Sequence, residues 1–285
     1  LTRFRISNVT KVQTSLATKH GKLAQIAPAF AERLGWEVVL ADIDTDEFGT
    51  FDGSTPRLHS PKETVLAKAR AGAEFLGTRF GLASEGTIGH HPSYPLSTSD
   101  HELIGFVDLE LGTELVVSHV SPTIFAARLE LSKDGELPDL DALFDLPNHA
   151  LIIKALLPQQ EIVHKGITSA TEAAKILADL VAKPGFDKAT VESDFRAMHS
   201  PSRQRNIEAC ARLAAERLST LCPACNYFGW GVKGHEFGLV CRVCGFENTH
   251  LSRAVIHGCI SCNYQVIDAL TPDAAQPEQC LSCNP

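Results

Sequence analysis

The sequence predicts a mixed α/β fold carrying a small, metal-stabilised C-terminal domain. Three observations lead there. Strand-like and helix-like periodicities alternate over residues 10–120, which is the pattern of an α/β sheet. Two apolar runs joined by a four-residue turn then read as an antiparallel hairpin, so the sheet is mixed. Finally, eight of the nine cysteines fall into four Cys-x-x-Cys pairs, and no cysteine precedes Cys210.

Taken in order, residues 11–17 read as a strand. Residues 22–34 follow as a helix whose Leu23, Ile26, Ala27, Phe30 and Leu34 recur at helical spacing. Residues 36–43 form the next strand and lead into an acidic, Gly-containing loop over 44–53. Ser60-Pro61-Lys62-Glu63 has the N-cap Ser, first-turn Pro and N3 Glu of a capping box. Its helix is expected to run to Leu76 with Leu66, Ala69, Ala73 and Leu76 as the apolar face. Residues 79–84 read as a short strand ending at Glu85-Gly86, and 102–109 with 114–120 form the hairpin. Further along, 139–146 suggests a short helix, 149–156 a buried strand, 169–183 a helix, 189–194 an extended segment and 203–220 a long helix. The expectation is one elongated mixed sheet flanked by helices over residues 1–220, and a Cys-rich zinc-ribbon domain over 221–285.

Composition sets outer bounds. The 285 residues are 44% hydrophobic and 21% charged, enough to bury a core. A net charge of −8 argues against wholesale coating of nucleic acid and confines any such contact to a local patch. No run approaches the ~20 apolar residues of a membrane span, and the first twenty residues lack the apolar core of a signal peptide. Paired cysteines without a disulfide framework fit a reducing compartment, so the expected location is cytoplasmic, away from any membrane.

Four motifs carry chemistry. The first is Cys222-Pro-Ala-Cys225, fifteen residues, then Cys241-Arg-Val-Cys244-Gly245, the spacing of a zinc ribbon. Cys259-Ile-Ser-Cys262 and Cys280-Leu-Ser-Cys283 supply four more ligands, so one or two structural zinc ions are expected. Consecutive sets are the simplest pairing; a cross-braced one joins the first pair to the third and the second to the fourth. Cys210, on the apolar side of the long helix, reads as core. Next, the turn Ala17-Thr18-Lys19-His20-Gly21-Lys22 places two lysines at a helix start, an anion site in form. Acidic groups gather at predicted strand ends: Asp44, Asp46 and Glu47, then Glu85 in Ala83-Ser84-Glu85-Gly86, then Asp100, Glu102 and Asp108. Carboxylates so placed can hold Mg or Mn against a polyphosphate, and Glu85, between small residues, has no obvious core role. The alternative for residues 44–52 is a solvated acidic loop. Last, Arg196, His199, Arg203 and Arg205 concentrate positive charge ahead of the long helix, either to grip a nucleotide or to cover a seam between domains.

With those residues in view, positions 12–110 resemble the inosine triphosphate pyrophosphatase-like superfamily, which includes the Maf proteins. Ala17–Lys22 is similar to its opening strand and Lys turn, 42–49 to its acidic loop, Glu63-Thr64 to Lys68-Ala69 to its Thr and Lys-Ala helix, and Ala83–Gly86 to its metal-binding acidic motif. A single Glu85 stands where the pyrophosphatase branch has paired acids. Nearly the whole chain is also similar to a bacterial family of unknown function that has Ala-Ser-Glu-Gly, an Asp-x-Arg-Ala segment (here Asp194–Ala197) and a Cys-rich tail.

The superfamily resemblance implies Mg-dependent hydrolysis of a nucleoside triphosphate to monophosphate and pyrophosphate. In that scheme Lys22, Glu85 and Asp46 are catalytic; Thr18, Lys19, His20, Lys68, Arg196, His199 and Arg203 bind substrate; and Asp44, Asp46 and Glu85 hold the magnesium. The alternative is a binding protein whose zinc module contacts nucleic acid or a protein, with Lys233, Arg242, Arg253, Tyr227, Trp230 and Phe246 as a small stacking surface. Expected partners are therefore a nucleotide, with nucleic acid through the zinc module or a homodimer as further options.

Overall fold

The structure is a computed structural model that describes residues 12–19, 21–49, 58–91, 96–270 and 273–285. Its first sheet is built from β1 (Gln13–Ala17), β2 (Glu37–Ala41), β3 (Phe80–His90), β4 (Thr98–Asp108) and β5 (Thr113–Ser121) in the order β2-β1-β3-β4-β5. β1 runs parallel to both β2 and β3, and the pairs β3–β4 and β4–β5 are antiparallel, so the sheet is mixed as expected. Helices α1 (Leu23–Leu34) and α2 (Pro61–Leu76) make the two crossovers. Because β1 lies between β2 and β3, the chain reverses its direction of travel across the sheet there. Crevices at the carboxyl ends of strands around such a reversal are where open α/β sheets bind ligands.

The capping box of α2 forms as read: Glu63 N–H donates to Ser60 Oγ, and Ser60 N–H to Glu63 Oε2 at 2.9 Å. Its buried face keeps Ala69 and Ala73 of the expected stripe but is shifted toward smaller and polar residues. Thr64, Val65, Lys68, Ala69, Gly72 and Ala73 turn inward, leaving Leu66 and Leu76 only half-buried. Small residues let the helix lie close on the sheet, and a side chain at Gly81 of β3 would collide with the Ala69 carbonyl. A second correction concerns β3, which continues to His90 rather than stopping before Glu85. Its partner β4 runs equally far, pairing Glu85 with Leu103 and Gly86 with Glu102.

Instead of extending this sheet, the next strands build one of their own. β6 (Arg128–Ser132), β7 (Leu151–Leu157), β8 (Gln160–Ile167) and β9 (Lys188–Ser193) form an antiparallel sheet ordered β6-β9-β7-β8. With α3 (Leu140–Phe144) and α4 (Ala170–Val181) it encloses a separate core around Phe144, Ile153, Leu177 and Val191. Neither edge strand, β6 nor β8, was legible as a strand, since their exposed charged residues interrupt the apolar pattern. The chain then returns to the first sheet through α5 (Pro201–Ser219), which packs with α1 over Leu16, Phe30, Leu82 and Phe106. The two faces of the first sheet are thus covered by α1 and α5 on one side and α2 on the other.

After α5, the cysteine-bearing segment forms a third antiparallel sheet, β10 (Gly231–Val240), β11 (Glu247–Gly258) and β12 (Gln265–Ala269). The expected break after residue 220 coincides with the end of α5, and apolar contacts cross it: Phe228 and Ile260 pack onto the main core. Among the described residues, no helix is long and apolar enough to cross a membrane.

Candidate functional site

Three strand ends open onto one cleft. Thr18, Lys19 and Lys22 follow β1, Thr45, Asp46 and Gly49 follow β2, and Ser84, Glu85 and Gly86 lie on β3 beyond the last residue that pairs with β1. Lys68 enters from α2 and Arg203 from α5, and the space is about 430 Å³ including its solvent-open mouth. Alternation along β3 distributes the charges. Glu85 faces α2, where its Oε2 accepts from Lys68 Nζ at 2.7 Å. Ser84 and Gly86 face α1 and α5, where Lys22 Nζ donates to Ser84 Oγ at 2.8 Å.

Across from Gly86 stands Glu102 of β4, whose Oε1 accepts from Arg203 Nε at 2.6 Å. Arg203 Nη1 also donates to the Phe195 carbonyl at 2.6 Å, so the guanidinium is held from two directions. Gly86 is needed here, because a side chain would collide with Arg203 Nη2 and Glu102 Oε1. Lys22, Lys68, Glu85, Glu102 and Arg203 are all at least 94% buried, and burial pushes the Lys22 ammonium down to about 8, against the opposing charge of Glu102. A protein retains so many buried charges only when they are paired or await a counter-charge.

The other expected site residues fall into three groups. Thr18, Lys19 and Asp46 line the cleft, and His20 lies outside the described residues. Lys19 sits at the rim, bonded to Asp44 Oδ1 at 2.8 Å and Asp46 Oδ2 at 2.6 Å, while Asp44 caps the short 3-10 turn at Thr45–Phe48. The magnesium set Asp44, Asp46 and Glu85 is therefore not gathered on one point: the first two close on Lys19 and the third on Lys68. Among the described residues, only cysteines form groups of three or more metal-ligating atoms.

Arg196 and His199 do not line the cleft. Arg196 Nη2 binds Asp194 Oδ2 at 2.6 Å, and the same carboxylate accepts from the Gly166 N–H. The His199 carbonyl accepts from Ala150 N–H. These residues fasten the second sheet to the start of α5, which is the seam role. Close by, His149 Nδ1 meets Asp145 Oδ2 at 2.9 Å and its Nε2 meets Ser202 Oγ at 3.2 Å. That is the connectivity of a hydrolytic triad, yet Ser202 is buried and already accepts the Phe125 N–H, so the chain of contacts serves the same seam.

The cysteines gather in two sets of four, Cys222, Cys225, Cys259 and Cys262, and Cys241, Cys244, Cys280 and Cys283, all sulfurs of a set lying within 4.8 Å. The pairing is cross-braced and not consecutive. Ten residues of β10 at roughly 3.3 Å each separate Cys225 from Cys241, so those two pairs occupy opposite ends of the ribbon. β11 brings the third pair back to the first, and β12 with its following loop carries the fourth to the second. Sulfur separations such as 3.6 Å between Cys225 and Cys259 and 3.9 Å between Cys222 and Cys262 match the edge of a tetrahedron with Zn–S near 2.3 Å, about 3.8 Å. The N–H groups of Ser261 and Cys262 point at Cys259 Sγ, each at 3.3 Å, as knuckles around bound thiolates do. Two zinc ions can be held, one in each set, with no ligand position left open. Cys210, by contrast, is core: burial pushes its thiol up to about 12.

Glu102, buried behind the cleft and bonded to Arg203, is a residue that sequence reasoning did not assign a role of its own. It was visible only as one acid among several near β4; what marks it is its register opposite Gly86.

No curated protein and no solved structure matches this chain. A family model does match, over residues 68–285, a span that takes in Lys68, Glu85, Glu102, Arg203 and all eight clustered cysteines. The chain belongs to that family, described as Domain of unknown function (DUF6671).

Proposed function

We propose that the cleft hydrolyses a nucleoside triphosphate to the monophosphate and pyrophosphate. The observation that carries this reading is the convergence of buried Lys22, Lys68 and Arg203 beside Glu85 at the strand ends around β1. Three buried cations in a small polar cleft suit the dispersed negative charge of a polyphosphate, and preorganised charge is the main catalytic resource for phosphoryl chemistry. Lys22 and Arg203 neutralise phosphate oxygens, and Lys68 orients Glu85. Water attacks the α-phosphorus and gives up its proton to solvent, the bond to the bridging oxygen breaks, and pyrophosphate leaves.

Glu85 and Asp46, which line the cleft on separate lysine partners, would each offer a carboxylate oxygen to a magnesium or manganese ion whose remaining ligands would come from substrate and water. Such an ion, when bound, supplies charge neutralisation and a more acidic water. Lys19, tied to Asp44 and Asp46 at the rim, would exchange those partners for phosphate.

The test is turnover of a panel of canonical and deaminated nucleoside triphosphates with magnesium or manganese, resolving monophosphate, diphosphate and pyrophosphate. Glu85→Gln keeps the shape of the Lys68 contact and should abolish pyrophosphate release while its circular dichroism stays native. A fully active Glu85→Gln, or no turnover of any nucleotide, sinks the proposal.

A second reading assigns the zinc module to binding a nucleic acid. It draws on exposed Val243, Phe246 and Leu281 around the second cysteine set, with Arg242 and Lys233 in the same module. Tyr227 and Trp230 weaken it: Tyr227 packs on Phe228 and bonds to Asp108, and Trp230 stacks on Tyr264. A gel shift that fails to appear at low salt would remove this alternative.

A further inference from the structure

Two buried carboxylates behind the cleft each have one oxygen hydrogen-bonded and one without a hydrogen-bond partner among the described residues. Asp100 Oδ2 accepts from Asn206 Nδ2 at 2.9 Å, and Glu102 Oε1 accepts from Arg203 Nε at 2.6 Å. Among the described residues no group donates a hydrogen bond to Asp100 Oδ1 or Glu102 Oε2, although the two residues are 0% and 1% exposed. Unsatisfied carboxylate oxygens in such a place are strongly disfavoured. Asp100 and Glu102 stand two residues apart on β4 and so share a face, and the side chains that hold their other oxygens, Arg203 and Asn206, are neighbours on one face of α5. Two adjacent carboxyl groups with an orphan oxygen each are satisfied together if one is protonated and donates to the other.

We propose that Asp100 and Glu102 share one proton, carried by Asp100 and donated to Glu102, and that this proton preserves the cationic excess of the cleft toward a phosphate-bearing anion. The last clause rests on the phosphate reading above; the shared proton does not. With it in place, among the described residues three buried cations, Lys22, Lys68 and Arg203, face two buried carboxylates, Glu85 and Glu102. Ionising Asp100 would equalise the count.

The surroundings agree. Lys22 of the α1 start lies 4.0 Å from Glu102 Oε2. α5 contributes Arg203, Asn206 and the Cys210 thiol, which donates to the Glu102 carbonyl. β3 places uncharged Gly86 and Ile88, and β5 places His119 and Ser121, in register with Glu102 and Asp100. Burial first, then the charge of Glu102 and a hydrogen bond to it, push the Asp100 carboxyl up to about 7, while Asn206 and Arg203 pull the other way.

The sign of the pH dependence follows. A carboxyl whose folded pKa is raised contributes stability that is complete below its unfolded value, near 4, and that is lost as pH rises toward and through about 7. Asp100→Asn imitates the protonated acid, since its amide can donate to Glu102 and its oxygen can accept from Asn206. We expect the melting temperature of the wild type to fall between about pH 5.5 and about pH 8, with Asp100→Asn losing less and at least matching the wild type at the higher pH. In carbon-13 spectra of protein labelled at the Asp carboxyl, one resonance should titrate near neutrality and be missing from Asp100→Asn. An Asp100→Asn protein markedly less stable than wild type at the higher pH, or the absence of any Asp carboxyl titrating near neutrality, overturns the shared proton.

For the anion clause, calorimetry with inorganic pyrophosphate should show affinity declining severalfold more steeply with pH in the wild type than in Asp100→Asn. Equal slopes overturn that clause. No pyrophosphate binding at any pH overturns the phosphate reading, while the melting and carbon-13 results still decide the proton.

Discussion

The two cysteine sets have the same ligands, the same Cys-x-x-Cys geometry and opposite surroundings. Around Cys222, Cys225, Cys259 and Cys262 the neighbours belong to the main body of the protein. Phe228 sets its edge against Trp36, Phe80 and Phe106 with ring centroids 5.7, 5.5 and 5.6 Å apart, Ile260 joins the same core, and Tyr227 bonds to Asp108 and Thr113. Arg217 of α5 donates to the carbonyls of Gly229, Val232 and Gly258, stitching the helix to this end of the ribbon. Around Cys241, Cys244, Cys280 and Cys283 the contacts are local: Asn248 holds Leu239, Phe246 and Leu281, while Val243 is 70% exposed. A ligand set therefore tells what a site binds and not how much of the fold depends on it; that is decided by what the flanking residues touch.

Cys259→Ser should have the largest effect. A structural zinc in a small module is worth on the order of 10 kcal/mol, as much as the whole stability of a typical domain, so this variant should lose one zinc by mass spectrometry and fail to show a cooperative native melt. Phe228→Ala, which leaves the ligands intact, should cost about 3 kcal/mol in urea denaturation through the aromatic cluster alone. Tyr227→Phe removes a hydrogen bond to a carboxylate and should cost roughly 1–2 kcal/mol by the same measurement. At the other end of the ribbon, Cys283→Ser should also lose one zinc, yet shift the main melting transition by only ~2 °C or less, with faster amide exchange confined to the distal knuckles. Phe246→Ala should stay within ~0.5 kcal/mol of wild type. If Cys283→Ser unfolds the protein as completely as Cys259→Ser, the distinction between an integrated and a satellite metal site is wrong.

The pairing of the cysteines shows how local signals fall short. Their spacing announced eight thiolate ligands, yet the fifteen residues between Cys225 and Cys241 are compatible with either a folded-back ribbon or an extended strand. β10 takes the extended form, and the first pair then meets the third. A similar limit applies to the cleft. The Lys turn, the capping box and Ala83–Gly86 were legible because each is a contiguous pattern with a local physical cause. Arg203, Arg196 and His199 stood out together as a positive cluster expected at the site, but only Arg203 lines the cleft, while Arg196 and His199 turned to the seam. On α2 the expected Ala69 and Ala73 do face the sheet, but their close approach to Gly81 leaves Leu66 and Leu76 at the margin of the contact.

The class and order of most elements, the start of α2, the metal-ligating chemistry of the tail and the residue types around the strand ends were all readable along the chain. All of these arise from interactions within a few positions of one another. Which side chains meet was settled by folding alone: Lys68 with Glu85, Arg203 with Glu102, Lys19 with Asp44 and Asp46, and the first cysteine pair with the third. Those partners are tens of residues or more apart in nearly every case, and their meeting depends on strand register and helix placement, where one residue of slip sends a side chain to the other face of the sheet.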